Sequence, residues 1–360
     1  MKVKWVRGQD SITYNRPSIW FSLGVRDSGK SSFLEHTAEN YLEAGHAIFD
    51  LFGSRDGEGL AWLRSSHIKD KKVLLLRGDN VDVECCFPVK SADSVTLSDF
   101  ETNDIIISSS PLYQTIDQEF NYAAHLTDLL YKRMHYKRLV FAVVREASNL
   151  YYSRLKISDN QTFAKAEMTY LLRESRHMGL GMGLDSLRFY SLDIDIRSLT
   201  DYLLLKSQGM QGLSKDLKWL YRYVDPRFMR HMKQQDFVIL TSRGSIGYGF
   251  FPYPDWHKKE KENILDSVGI KTEYGEVLKE AQIKGSFKTV SDREHTEIVR
   301  LYIEEDMGFN KIADKLDRSS RTIKLHVDSH NVSVQRSGFC AACKRAGSSY
   351  FNRIVEKGMV

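Results

Sequence analysis

The chain has 360 residues, 42% hydrophobic and 28% charged, a balance that suits one large core plus a smaller module and excludes collagen, coiled coil and wholesale disorder. No run approaches roughly eighteen consecutive apolar residues, and the opening MKVKWVRGQD lacks the apolar stretch of a secretory signal, so a soluble, cytoplasmic protein without a membrane partner is expected. Its 52 Lys and Arg against 47 Asp and Glu leave a net charge of +5, and its four cysteines, Cys85, Cys86, Cys340 and Cys343, are too few and too local for a secreted disulfide framework.

The first two thirds alternate short apolar runs with amphipathic stretches, the rhythm of an α/β sheet. Residues 18–23 (SIWFSL) form the first such run and are predicted to be a buried strand. It leads directly into Gly24-Val25-Arg26-Asp27-Ser28-Gly29-Lys30-Ser31, a full match to G-x-x-x-x-G-K-[ST], and then into a helix over 30–44. In such a loop the glycines allow successive backbone N–H groups to turn toward phosphate oxygens, while the helix N-terminus adds its positive dipole end. Gly24, Asp27, Ser28, Gly29, Lys30, Ser31 and Ser32 are therefore the expected ATP-binding residues, with Lys30 reaching the β and γ phosphates and the Ser31 hydroxyl a ligand for Mg²⁺.

Further strands are expected at 47–52 (AIFDLF), 73–76, 104–108 and 139–144, and again at 237–240, with helices over 120–134 and 164–178. Hydrolysis needs an acidic site at the end of a second apolar strand. Leu139-Val140-Phe141-Ala142-Val143-Val144-Arg145-Glu146-Ala147 supplies the best candidate, Glu146, with Asp50 as a fallback. This segment resembles the strand and Asp-Glu-Ala ending of the HerA and FtsK superfamily of P-loop ATPases, ring-forming motors that pump DNA and include viral genome-packaging and conjugation ATPases.

The resemblance implies that Glu146 polarises the attacking water, whereas Arg145 stands where the family has its metal-shell Asp. A structural ion pair and a place at a subunit interface are both open for Arg145. Leu171-Leu172-Arg173-Glu174-Ser175-Arg176-His177-Met178-Gly179-Leu180 is similar to the family's helix carrying an arginine finger, a role carried over to Arg176 first and Arg173 second. Gly183-Leu184-Asp185-Ser186-Leu187-Arg188 and Asp193-Ile194-Asp195-Ile196-Arg197-Ser198 resemble the strand and sensor segments that follow, without the usual sensor Gln. The resemblance, spanning 19–250, implies a homo-oligomeric ring such as a hexamer.

After Pro252 a turn leads into the charged stretch Lys258-Lys259-Glu260-Lys261-Glu262, expected to be an exposed helix. The predicted domains are a P-loop ATPase domain over 1–255, a charged helical connector over 256–288, a helix-turn-helix over 289–335 and a basic tail over 336–360. The fold class is thus α/β, a RecA-like P-loop NTPase with a mainly parallel sheet flanked by helices, plus a small all-α module. Residues 307–360 carry ten basic and four acidic side chains, which leaves the preceding body near neutral.

Ser291-Asp292-Arg293-Glu294 has capping-box spacing before an apolar repeat at Ile298, Val299, Leu301 and Tyr302; a short helix from Lys311 to Leu316 and a third begun by Ser319 complete a helix-turn-helix plan. On this plan Ser320, Arg321, Lys324 and His326 face duplex DNA and Lys311 and Arg318 lie near its backbone. His326, His330, Cys340 and Cys343 also have the chemistry of a Zn²⁺ set, though an ordinary small-residue turn at the C-x-x-C is equally compatible. Two functions remain in play: an ATP-driven DNA motor, or a nucleotide-gated DNA-binding regulator or partition-type protein that hydrolyses little or no ATP. A small-molecule kinase fits less well, because nothing after the phosphate loop reads as an acceptor pocket or lid.

Overall fold

The computed structural model describes residues 1–51, 57–132, 138–152, 162, 165–166, 169–170, 172–174, 177, 179–192, 194–210, 212–275, 292–316 and 318–331. The chain divides into two compact units, Met1–Leu278 and Lys279–Val360.

In the first unit the elements run β1 (Lys2–Arg7), β2 (Ile19–Leu23), α1 (Lys30–Glu43), β3 (Ala47–Leu51), β4 (Val73–Arg77), β5 (Val81–Glu84), β6 (Val89–Ser91), α2 (Leu97–Thr102), β7 (Ile105–Ser108) and α3 (Ile116–Lys132). They continue with β8 (Val140–Val144), β9 (Leu180–Ser186), α4 (Ile194–Ser198), β10 (Tyr202–Leu205), α5 (Pro226–His231), β11 (Asp236–Thr241), β12 (Ile246–Phe250), α6 (Ile264–Val268) and β13 (Lys271–Tyr274). Eleven strands form one sheet in the order β1-β12-β11-β10-β2-β9-β8-β3-β7-β4-β6. The stretch from β10 to β6 is parallel, whereas β11, β12 and β1 complete one edge antiparallel.

The predicted strands all form. Every residue of β2, β3, β8 and β9 is buried, so both faces of the central sheet are covered, as their continuous rather than alternating hydrophobicity requires. Helix α1 lies across β2, β9, β8 and β3. Its inward side carries Phe33, Leu34, Ala38 and Tyr41, and the Tyr41 ring stacks on Phe141 of β8 at 4.2 Å. Tyr202 of β10 stacks on Trp20 of β2 at the same centroid distance of 4.2 Å. Parallel neighbours need long crossovers, and these bring each strand's carboxyl end to one edge of the sheet. There the register aligns Ser22 with Asp185 and Leu51 with Val144.

Two expectations change. Residues 256–275 are not a connector but part of the first unit: the Trp256 ring lies 4.4 Å from Trp62, and Arg64 binds Glu262 and donates to the Trp256 and His257 carbonyls. β13 pairs with β5 in a separate two-stranded sheet. The charged stretch 258–262 is not helical; the helix begins at Ile264, whose side chain is buried, because burial rather than charge pattern decides where this segment coils. Of the helix expected over 164–178, residues 165–166, 169–170, 172–174 and 177 are described and helical, and the others lie outside the described residues.

The second unit, by itself, contains α7 (Asp292–Val299), which continues into a widened turn over Arg300–Glu304, then α8 (Phe309–Leu316) and α9 (Ser320–Asn331). Ile298, Leu301, Ile312, Ala313, Ile323 and Val327 form its core, small Ala313 lying between the helices as its position predicts. The Ser319 hydroxyl caps α9 by accepting from the Thr322 N–H at 3.0 Å. Ser291, half of the expected capping box, lies outside the described residues, while Glu294 binds Arg318. No helix among the described residues is long and apolar enough to cross a membrane.

Candidate functional site

The loop 24–29 leaves the carboxyl end of β2 and turns into α1 through two left-handed residues, Asp27 (φ 59°) and Gly29 (φ 81°). Gly29 is required twice over. A side chain would be strained at that φ, and a Cβ would collide with the Gln234 carbonyl oxygen. A Cβ at Gly24 would approach the Ser28 hydroxyl to 2.6 Å and Lys206 Cβ to 2.7 Å. The first turn of α1 carries no acidic residue of its own, an arrangement compatible with an anion at the positive end of the helix dipole.

Lys30 is buried and folds back across the loop, donating from Nζ to the Val25 carbonyl at 2.9 Å, beside the Ser28 hydroxyl, which donates to the same oxygen at 2.7 Å. Ser32, expected among the ligand residues, is also buried. Behind the loop stands a brace absent from the sequence reading. Lys206 follows β10 and is fully buried, donating to the Gln234 and Asp236 carbonyls at 2.6 Å each. Burial pushes its ammonium pKa down to about 7, against the pull of Asp236. Gln234 in turn donates to the Asp27 carbonyl at 3.0 Å, and Gln208 to the Leu23 carbonyl at 3.1 Å. A lysine closing the apolar run Tyr202–Leu205 was the available signal in the sequence.

The acidic side of the site departs from expectation. Arg145, at 2% exposure, reaches Glu35 on α1 at 3.1 Å, binds Asp50 at the end of β3, and lies 3.5 Å from Glu58. Burial disfavours its charge, but Asp50 and Glu35 outweigh that and hold its pKa above the ordinary value. Asp50 also accepts from the Trp62 indole at 2.8 Å, and Glu35 shares a 2.6 Å hydrogen bond with His257. Arg145 is therefore a buried ion-paired residue that joins α1, β3 and β8, and Asp50 is committed to it.

Glu146 adopts a left-handed conformation (φ 47°) just after β8, and its N–H donates to the Asp185 carboxylate. Burial raises its own carboxyl pKa, with nearby Lys30 pulling it back. Asp185, on β9 and fully buried, accepts from the Ser31 hydroxyl at 3.1 Å. Burial pushes its pKa up to about 7, Lys30 opposing and Glu146 adding to the rise. The sequence reading placed Asp185 in a resembling segment without a role; an acid closing an apolar, glycine-bearing strand was the available signal. The Ser31 hydroxyl oxygen, backed by the Asp185 carboxylate and next to a lysine and a helix N-terminus, fits a Mg²⁺-nucleotide.

The remaining predicted residues fall elsewhere. Arg176 lies outside the described residues, and Arg173 is exposed, 3.3 Å from Asp195. In the second unit Lys311, Ser320 and Lys324 are exposed, while the Arg321 side chain lies outside the described set. Two expectations there need correction. His326 does not face outward: it is 1% exposed and shares a 3.0 Å hydrogen bond with His295, because its helix position falls on the apolar side with Ile323 and Val327. Arg318 is half-buried and forked onto Glu294 at 2.8 and 2.9 Å, which ties the start of α9 to α7. Among the described residues no His, Cys, Asp and Glu group is placed to hold a metal, and the His330 side chain, Cys340 and Cys343 lie outside them.

No family model and no curated protein matches the chain. Among solved structures it is similar to the genome packaging NTPase B204 of Sulfolobus turreted icosahedral virus 2 in complex with ATP-gammaS, at 20% identity and a TM-score of 0.40, over 67% of this chain and 99% of that one. It is also similar to the pCW3 conjugation coupling protein TcpA, at 13% identity and a TM-score of 0.42, over 70% of this chain and 66% of that one. A third, Thermomonospora curvata EccC (ATPases 2 and 3), matches at 13% identity and a TM-score of 0.38, over 69% of this chain and 38% of that one.

Proposed function

We propose that the protein is an ATP-hydrolysing motor of the HerA and FtsK type that translocates duplex DNA, acting as a ring of identical subunits in the cytoplasm. One observation carries the nucleotide part of the reading. The loop enters a helix whose own first turn carries no acidic residue, with Lys30 laid across the loop, and Glu146 lies close enough for Lys30 to draw down its pKa. On this reading the backbone N–H groups of 24–32 bind the β and γ phosphates, and Lys30 exchanges its bond to the Val25 carbonyl for phosphate oxygens. Ser31 holds Mg²⁺ through its hydroxyl; when bound, the ion neutralises charge that builds on the transferring phosphoryl group. Glu146, its carboxyl pKa raised by burial, orients the attacking water and takes up its proton. Arg176, with Arg173 as second choice, reaches the γ phosphate of a neighbouring subunit.

The C-terminal part of the reading is a helix-turn-helix in which α9 enters the major groove. Exposed Ser320 and Lys324 on α9 and Lys311 on α8, with the basic excess of 307–360, support it. A regulator that binds ATP but turns it over slowly is the second reading, favoured by the commitment of Arg145 to three carboxylates where a metal-shell acid is expected. DNA-stimulated phosphate release separates the two. Turnover of the wild-type chain well above that of Lys30→Ala is expected, and turnover equal to that variant supports the regulator.

A further inference from the structure

A serine hydroxyl that ligates a cation through its oxygen still carries a proton, and that proton needs an acceptor. A carboxylate in that place orients the hydroxyl and raises its donor strength; such outer-shell partners are worth about 10–100-fold in metal affinity. Three carboxylates other than Glu35 and Glu58 stand at the carboxyl ends of β3, β8 and β9, and their bonds sort them. Asp50 is occupied by Arg145 and by the Trp62 indole. Glu146 meets Asp185 through its backbone N–H. Among the described residues it is Asp185 that accepts the Ser31 proton, at 3.1 Å through Oδ2, while Oδ1 is fixed by the Glu146 N–H.

We propose that the metal-shell carboxylate of this protein is Asp185, displaced by one strand from the end of β8, where Arg145 stands, to β9, which lies between β8 and β2. Arg145 explains how the exchange is tolerated. It turns the end of β8 into an ionic tie among Glu35, Asp50 and Glu58, and leaves the phosphate loop to draw its acid from the strand beside it. The register places Asp185 opposite Ser22 on β2, one residue short of the strand's end and beside the loop that β2 feeds. Asp185 is thus a positioning residue acting through Ser31, and the inference rests on the reading that loop 24–32 binds Mg²⁺-nucleotide.

The test is the affinity of the full chain for a fluorescent ATP analogue, measured by titration with Mg²⁺ and again with EDTA. Wild-type protein is expected to bind more tightly with Mg²⁺. Asp185→Asn, which keeps size but replaces one of the two accepting oxygens with an N–H donor, should match wild type in EDTA within about twofold and lose about tenfold or more of the Mg²⁺ enhancement. Full enhancement in Asp185→Asn, or its loss in Glu146→Gln instead, overturns the assignment. If Asp185→Asn does not fold, the smaller Asp185→Ser carries the same comparison, and failure of both to fold makes the carboxylate structural and also overturns it. Wild-type protein that binds the analogue without any Mg²⁺ effect refutes the role of Asp185 alone. No binding in either condition refutes the nucleotide reading itself.

Discussion

Replacing Arg145 with Asp restores the acid that the family resemblance leads one to expect, and the structure forecasts that it damages the protein rather than repairing it. Arg145 is the cation facing Glu35, Asp50 and Glu58 in a pocket where its side chain is 2% exposed. Removing one partner of a buried pair typically costs about 3–5 kcal/mol, because the charge left behind has neither water nor a counterion. Arg145→Met is expected in that range, equivalent for a unit of this size to a fall in Tm of roughly 6–20 °C at about 2–4 °C per kcal/mol. Arg145→Asp adds a fourth carboxylate to the same space and should fall further.

Thermal unfolding followed by tryptophan fluorescence suits the measurement. Trp62 donates to Asp50, and Trp256, packed against it, donates to Glu39 at 2.6 Å, so both indoles report on this cluster. A loss below about 1 kcal/mol in Arg145→Met, the range of exposed pairs, refutes the argument that this ion network is structural. So does an Arg145→Asp protein as stable as wild type.

Three more outcomes are expected. His257 sits against Glu35, with Glu58 and Arg145 nearby; burial opposes its charge, yet Glu35 prevails and raises its pKa above the ordinary histidine value. The stabilisation it provides is therefore complete below the unfolded pKa of about 6.5 and disappears as pH rises through the folded pKa. A His257→Gln variant should differ most from wild type near pH 5.5 and converge with it in alkaline buffer; a gap that widens with pH contradicts this. Gly29→Val combines a φ of 81° with a clash against the Gln234 carbonyl. It should cost about 1–3 kcal/mol in denaturant unfolding and depress analogue binding even in EDTA; unchanged affinity argues against the loop as the phosphate site. Finally, Lys324→Ala should reduce the slope of log affinity against log salt for duplex DNA by about one unit. Arg318→Ala should leave that slope unchanged, since its guanidinium is engaged with Glu294, and should instead lower the stability of the second unit.

Much of this was written in local sequence. The phosphate loop is legible because backbone torsion and phosphate contact there depend on residues adjacent in the chain: glycine at the left-handed position, lysine next, a hydroxyl after it. The buried strands at 19–23, 47–51, 105–108 and 140–144 are legible for a similar reason, since a strand covered on both faces has no polar side to conceal it. The core of the second unit follows from helical periodicity at Ile298, Ile312, Ile323 and Val327.

Which charges share a space is a different kind of fact. Arg145 is separated from Glu35 by 110 positions, Ser31 from Asp185 by 154, and Glu35 from His257 by 222. Nothing local distinguishes an arginine that ends a strand at a metal site from one that neutralises three buried acids, because the difference lies in what β3, α1 and the segment before α6 bring to it. The same holds for His326, whose partner His295 comes from another helix of its unit. Local chemistry determined that a G-x-x-x-x-G-K-S loop joins β2 to α1, and strand order alone decided which carboxylate stands beside it, because parallel crossovers make neighbours of strand ends that are far apart in sequence.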